Sequence, residues 1–126
     1  MVVKSGKHDQ VIDITDKIHV YLDGQEKEKG LCNIFVAHTT CSVTSADLDP
    51  GTDLDTLDFL SGIIPDIKFR HPHNPEHAPA HIISSIIGSS VSIPFENKKL
   101  SLGTWQRVVL IELDGPRDRE IKITVT

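Results

Sequence analysis

Four histidines crowd into the eleven residues His71 to His81, HPHNPEHAPAH, of a chain that has seven histidines in all. Imidazole is the commonest side-chain metal ligand and titrates near neutral pH, so this segment offers metal binding or proton transfer. His71 and His73, two apart, would share one face of an extended segment. His77 and His81, four apart, would align on a helix, but Pro79 lies between them. Proline suits the first turn of a helix, which leaves His81 inside that turn and His77 outside it. A helix N-terminus favours the neutral, ligating imidazole. For His73 and His77 a solvated polar loop is the simpler reading.

A second group follows the apolar run Asn33-Ile34-Phe35-Val36-Ala37. His38 should emerge at the end of that strand, with Thr39 and Thr40 adding hydroxyls suited to a phosphate. Asp47, a few residues on, is a candidate oxygen ligand or general base, whereas Asp49, Asp53 and Asp55 read as helix-start charge and surface. A third group closes the chain. Gly115-Pro116 makes a tight turn presenting Arg117, whose guanidinium suits bidentate capture of phosphate. Glu112 sits in the apolar run Val108-Val109-Leu110-Ile111 and needs a partner if buried, with Arg117 and Arg119 both in reach. Gly88-Ser89-Ser90 reads first as the end of a helix and only second as a phosphate loop.

These groups must be held by elements that the hydrophobic pattern outlines. Val11 to Ile14, Leu31 to Ala37, Val91 to Phe95, Gln106 to Leu113 and Ile121 to Val125 are rich in apolar and β-branched residues and predict strands, and Cys41 to Ser45 continues the second or pairs beside it. In the last of them Ile121, Ile123 and Val125 alternate with Lys122, Thr124 and Thr126, so one face should meet water. A helix capped by Thr15 or Asp16 carries Ile18, Tyr21 and Leu22 and stops near Gly24. A second, capped by Thr52 or Asp53, carries Leu54, Leu57, Leu60 and Ile64. A third begins at Pro79, carries Ile82, Ile83, Ile86 and Ile87, and stops at Gly88. Two to three helices among six or so strands predict an α+β fold with sandwich-like sheets, in one domain spanning residues 1–126.

Composition narrows the partners. The 126 residues carry a net charge of −5, which argues against nucleic acid, whose binders usually show a basic face. No apolar run approaches the length of a membrane span, and the N-terminus lacks a signal-peptide core, so the expected setting is the cytoplasm. Cys32 and Cys41 lack CxxC spacing and are expected to be buried, reduced thiols.

Read together, His38-Thr39-Thr40, Asp49-Pro50, Phe69-Arg70-His71, Ala80-His81-Ile82, Ile87-Gly88-Ser89-Ser90, Leu102-Gly103-Thr104-Trp105-Gln106 and Glu112-Leu113-Asp114-Gly115-Pro116-Arg117 resemble, in that order, the YjbQ-type family of "secondary thiamine-phosphate synthase" proteins. The resemblance runs from about residue 31 to the C-terminus. It implies a small α+β domain assembling as a homotrimer, with sites near subunit boundaries and often a bound metal. It also implies a weak transfer of a pyrimidine diphosphate onto a thiazole phosphate with release of pyrophosphate. Carried over position by position, the histidines that match the family pattern are His38, His71 and His81. A minimal assignment for the implied reaction then makes His38, Asp47 and His81 catalytic groups and Thr39, Ser89, Gln106 and Arg117 substrate or phosphate contacts. His38, His71 and His81 become the ligands of a divalent metal, zinc or magnesium. One departure stands out: Thr44-Ser45-Ala46-Asp47 occupies the place of the family's usual Thr-x-Asn-Glu, so an amide is lost and the carboxylate is one methylene shorter. Two other readings compete, a metal-dependent hydrolase with histidine-bound metal and a non-catalytic trimer that binds a metal or metabolite.

Overall fold

The computed structural model describes residues 1–126 and contains eight strands and three α-helices. They are β1 (Val2–Lys4), β2 (Gln10–Asp13), α1 (Thr15–Asp23), β3 (Lys29–Val36), β4 (Cys41–Asp47), α2 (Thr52–Gly62), α3 (Ala78–Ile87), β5 (Ser90–Glu96), β6 (Lys99–Leu100), β7 (Gln106–Glu112) and β8 (Asp118–Val125). A five-stranded sheet runs β1-β8-β3-β5-β6 and a three-stranded sheet β2-β7-β4, with every pairing antiparallel. The α+β architecture expected from the pattern is the one observed.

Alternation decides what each strand buries. From β8, Ile121 goes inside while Lys122 and Thr124 stay exposed. From β7, Val108 and Leu110 join Ile34, Val36, Val43 and Phe95 in the core between the sheets. Its odd residues Val109 and Ile111 point the other way and pack with Ile83, Leu60 and Ile87. The molecule therefore has three layers: large sheet, small sheet, and a cover of α2 and α3. Strand β7, the middle strand of the small sheet, is buried on both faces, which is why it reads as an unbroken apolar run.

Helix α1 closes the main core with Ile18 and Leu22, both fully buried, each contributing about 1.5–3 kcal/mol by its removal from water. It starts at Thr15, not with Thr15 or Asp16 as a cap; Asp13 Oδ1 instead accepts from the Thr15 N–H at 3.0 Å. The cap expected at Thr52 or Asp53 is likewise displaced, to Gly51, whose φ of 92° needs a residue without a Cβ. Strand β4 neither continues β3 nor pairs beside it. It crosses to the other sheet and pairs with β7, so the loop 37–40 joins the two sheets across the end of the sandwich. Both cysteines are buried free thiols, and burial pushes each up to about 11.

Helix α2 has the expected apolar residues yet buries none of them fully. Its Leu54 and Phe59 are exposed, as are Ile63, Ile64 and Ile67 beyond it and Ile82 and Ile86 on α3. Of these, Ile63, Ile64, Ile67, Ile82 and Ile86 border one shared groove.

A candidate active-site cleft at the β3–β4 crossover

The crossover loop is held from below by a buried ion pair. Glu112, the last residue of β7, and Arg119, on β8, are both essentially inaccessible, and Arg119 Nε donates to Glu112 Oε1 at 2.9 Å and Oε2 at 3.1 Å. Of the two arginines in reach of Glu112, Arg119 is its partner. The carboxylate also accepts from the Ser5 hydroxyl at 2.7 Å and from the N–H groups of Leu113 and Asp114. Arg119 Nη2 goes on to donate to the Thr40 carbonyl at 3.1 Å and hydroxyl at 2.8 Å. Burial alone would raise the Glu112 carboxyl, but the hydrogen bonds from Arg119 and Ser5 outweigh it and hold it below the usual range. Gly115 keeps the neighbouring turn close, since a Cβ there would sit 2.2 Å from the Lys7 carbonyl oxygen.

The residue after Arg119 then orients His38. The Glu120 N–H donates to His38 Nε2 at 2.9 Å, so in the neutral ring Nδ1 carries the proton. Burial, followed by the charge of Arg119, lowers the His38 pKa from its ordinary 6.5. At neutral pH His38 is an uncharged imidazole presenting an Nδ1–H donor.

Opposite the loop lies the C-terminal half of α3. The Gly88 carbonyl accepts from the Val43 N–H and the Ser89 carbonyl from the Val36 N–H, which stitches the helix end to both sheets. Gly88 makes that exit with a φ of 107°. Between loop and helix is an open cleft of about 400 Å³ lined by His38, Thr39, Cys41, His81, Ser84, Ser85, Gly88 and Ser89. It contains two imidazoles, four hydroxyls and no carboxylate.

The sequence-derived site residues divide between this cleft and other places. His38, Thr39, His81 and Ser89 line it together. His71 lies behind His81, their rings stacked with centroids 4.8 Å apart, and His73 and His77 sit about His71 at 6.4 and 6.5 Å. Arg117 does not line the cleft; its guanidinium is tied to the Asp114 carbonyl and carboxylate at 2.8 Å each, although its charge contributes to lowering His38.

Asp47 and Gln106 are register partners at the opposite end of β4 and β7, six residues or roughly 20 Å of strand from Cys41. They are not part of this cleft in one chain; Asp47 borders Trp105, Thr104, Arg107 and Asp13 instead. Sequence reasoning missed Ser84, Ser85 and the contribution of Cys41 to the cleft wall. The pair Ser84-Ser85 inside the run Ile82 to Ile87 was the available signal.

The three-histidine metal site that the resemblance implies, His38, His71 and His81, is not formed by the donors of one chain. Within the chain no three His, Cys, Asp or Glu side chains are spaced to hold a cation together. His38 Nε2 is taken by the Glu120 N–H and His71 Nδ1 accepts from the Asn74 N–H. One chain's residues do not fit that metal site.

The family profile described as "UPF0047 protein YjbQ-like" matches residues 1–126. A UPF0047 protein of Archaeoglobus fulgidus is 34% identical over 122 residues, covering 96% of this chain and 94% of the relative. The UPF0047 protein YugU of Bacillus subtilis is 34% identical over 118 residues, 93% of this chain and 89% of its own length. Among solved structures, a YjbQ/UPF0047 family protein of Clostridium acetobutylicum superposes with a TM-score of 0.90 at 35% identity, over 100% of this chain and 98% of that one. A hypothetical protein from Aeropyrum pernix gives 0.92 at 34% identity, over 100% and 95%.

Proposed function

The chain belongs to the YjbQ-like UPF0047 family, and we propose that it is a small-molecule enzyme of the secondary thiamine-phosphate synthase type, acting on a phosphorylated substrate in the β4–α3 cleft. One observation carries this reading: two histidines and four hydroxyls converge on a carboxylate-free cleft, with the charge of Arg119 behind it. In the transfer, the thiazole nitrogen attacks the methylene carbon of the pyrimidine diphosphate. The carbon–oxygen bond breaks and its electron pair leaves with pyrophosphate. Negative charge grows on the leaving group, so donors aimed at its oxygens accelerate the step. The Nδ1–H of His38 and the hydroxyls of Thr39 and Ser89 are suited to that task, and His81 to handing the departing oxygen a proton. Magnesium enters as part of the diphosphate substrate. The assay is pyrophosphate release from a pyrimidine diphosphate and a thiazole phosphate. Turnover above the uncatalysed rate supports the proposal; hydrolysis of phosphoesters in its place would favour a hydrolase.

The working form in this proposal is a homotrimer in the cytoplasm. The support is the exposed apolar set on α2, α3 and the segment between them, where Ile63, Ile64, Ile67, Phe69, Ile82 and Ile86 line a groove of about 230 Å³. A second copy covering it removes that surface from water. Asp47 and Gln106 can reach a cleft of this kind only from another copy, because their own strand holds them at the far end. Replacing Phe59 and Ile86, 71% and 72% exposed, with glutamate should therefore convert the assembly to monomers while each chain stays folded. Light scattering coupled to gel filtration reads this, and an unchanged mass would place the interface elsewhere.

A further inference from the structure

Ser84 is only 4% exposed, and its hydroxyl neither donates to nor accepts from any group in the protein. Leaving a buried hydroxyl unmatched is costly, so such a group calls for an explanation. Its neighbour Ser85 has an ordinary one, since that hydroxyl donates back to the Ile82 carbonyl at 3.0 Å. Ser84 does not, although serine in a helix commonly bonds back in this way. It lines the cleft beside His38, Thr39 and Ser89. We propose that Ser84 is a ligand-binding donor, and that its partner in the working protein is a phosphoryl oxygen of the substrate.

The proposal rests on the reading of the cleft given above and adds to it both a residue and the kind of atom bound. The lining holds no carboxylate that would repel an anion. The α3 C-terminus, whose dipole weakly opposes negative charge, is offset because the Gly88 and Ser89 carbonyls are engaged by β4 and β3. A hydroxyl donor with no internal partner binds an oxyanion without first breaking an existing bond.

Ser42 supplies the control. Its hydroxyl is also buried and unpartnered, but Ser42 is not among the residues that line the cleft. The experiment is calorimetric titration of the full-length folded chain with inorganic pyrophosphate, for the wild type, Ser84→Ala and Ser42→Ala, with melting temperature measured on each. The expected result is a Kd about tenfold weaker in Ser84→Ala, the scale of one hydrogen bond to a charged group. Its melting temperature should be unchanged or higher, and Ser42→Ala should bind as the wild type does.

Equal affinity in Ser84→Ala and wild type overturns the assignment of Ser84 while the cleft reading stands. If both variants lose stability alike and neither loses affinity, the two hydroxyls share a structural water, which also overturns it. A wild type that binds no pyrophosphate overturns the cleft reading and Ser84 together. Ser84-dependent binding without turnover supports Ser84 and sinks only the synthase reaction.

Discussion

An Arg119→Ala chain is expected to lose about 3–5 kcal/mol of folding stability, the scale of removing one partner from a buried charge pair. The mutation strands the Glu112 carboxylate, which is 0% exposed and keeps only the Ser5 hydroxyl and two N–H groups. It also releases the Thr40 carbonyl and hydroxyl that Arg119 holds, so the crossover loop should loosen as well. Denaturant unfolding at neutral pH measures the loss; a cost under about 1 kcal/mol would mean that Glu112 finds another partner, contrary to the network described.

Acid should act on the same pair with a definite sign. The folded Glu112 pKa lies below its ordinary 4.5, so the unfolded chain binds more protons in the window between the two. The contribution is complete above pH 4.5 and disappears as pH falls through the lowered folded value. A Glu112→Leu/Arg119→Met double variant should lose this acid-dependent term and recover part of the stability lost in Arg119→Ala.

The second large effect is on the reaction. His38→Ala should lower the rate of pyrophosphate release by about 10²–10³-fold, the range for a positioned hydrogen-bonding or proton-handling group. The half-buried side chain makes a single bond to the Glu120 N–H, so folding should survive, and circular dichroism can verify that. Because the ring's pKa lies below 6.5, its neutral form dominates at pH 7. The wild-type rate should decline on acidification only below that value. A rate within threefold of wild type would remove His38 from the reaction.

Where the hydrophobic period was long, the chain could be read directly. The three- and four-residue spacing located α1 with its buried Ile18 and Leu22, and the alternation in β8 located Ile121 inside. Helix α3 was located too, but Ile82 and Ile86 of its expected face are exposed. Strands β1 and β6 escaped because they are three and two residues long, too short to show a period. The partner sheet of β4 escaped because pairing is a non-local choice; both sheets accept an apolar strand.

The candidate cleft was legible in the crossover residues His38 and Thr39, in His81 on α3 and in Ser89 just beyond that helix. Asp47 misled through closeness in sequence. It lies nine positions after His38, but extended backbone turns that into a long distance in space. Ser84 was hidden in an apolar helix because only the rotation of α3 decides which serine faces inward. Leu54, predicted on the apolar face of α2, is exposed instead, and the pattern cannot distinguish burial in one's own core from burial against a second copy.

The most direct test is chemical-shift mapping of the backbone amides as inorganic pyrophosphate is titrated into the folded protein. The account predicts that the largest shifts fall on His38, Thr39, His81, Ser84, Ser85 and Gly88 to Ser90, flanking the cleft between the crossover loop and α3. Shifts centred on Asp47 to Asp49 and Thr104 to Arg107, at the opposite end of the small sheet, would contradict it.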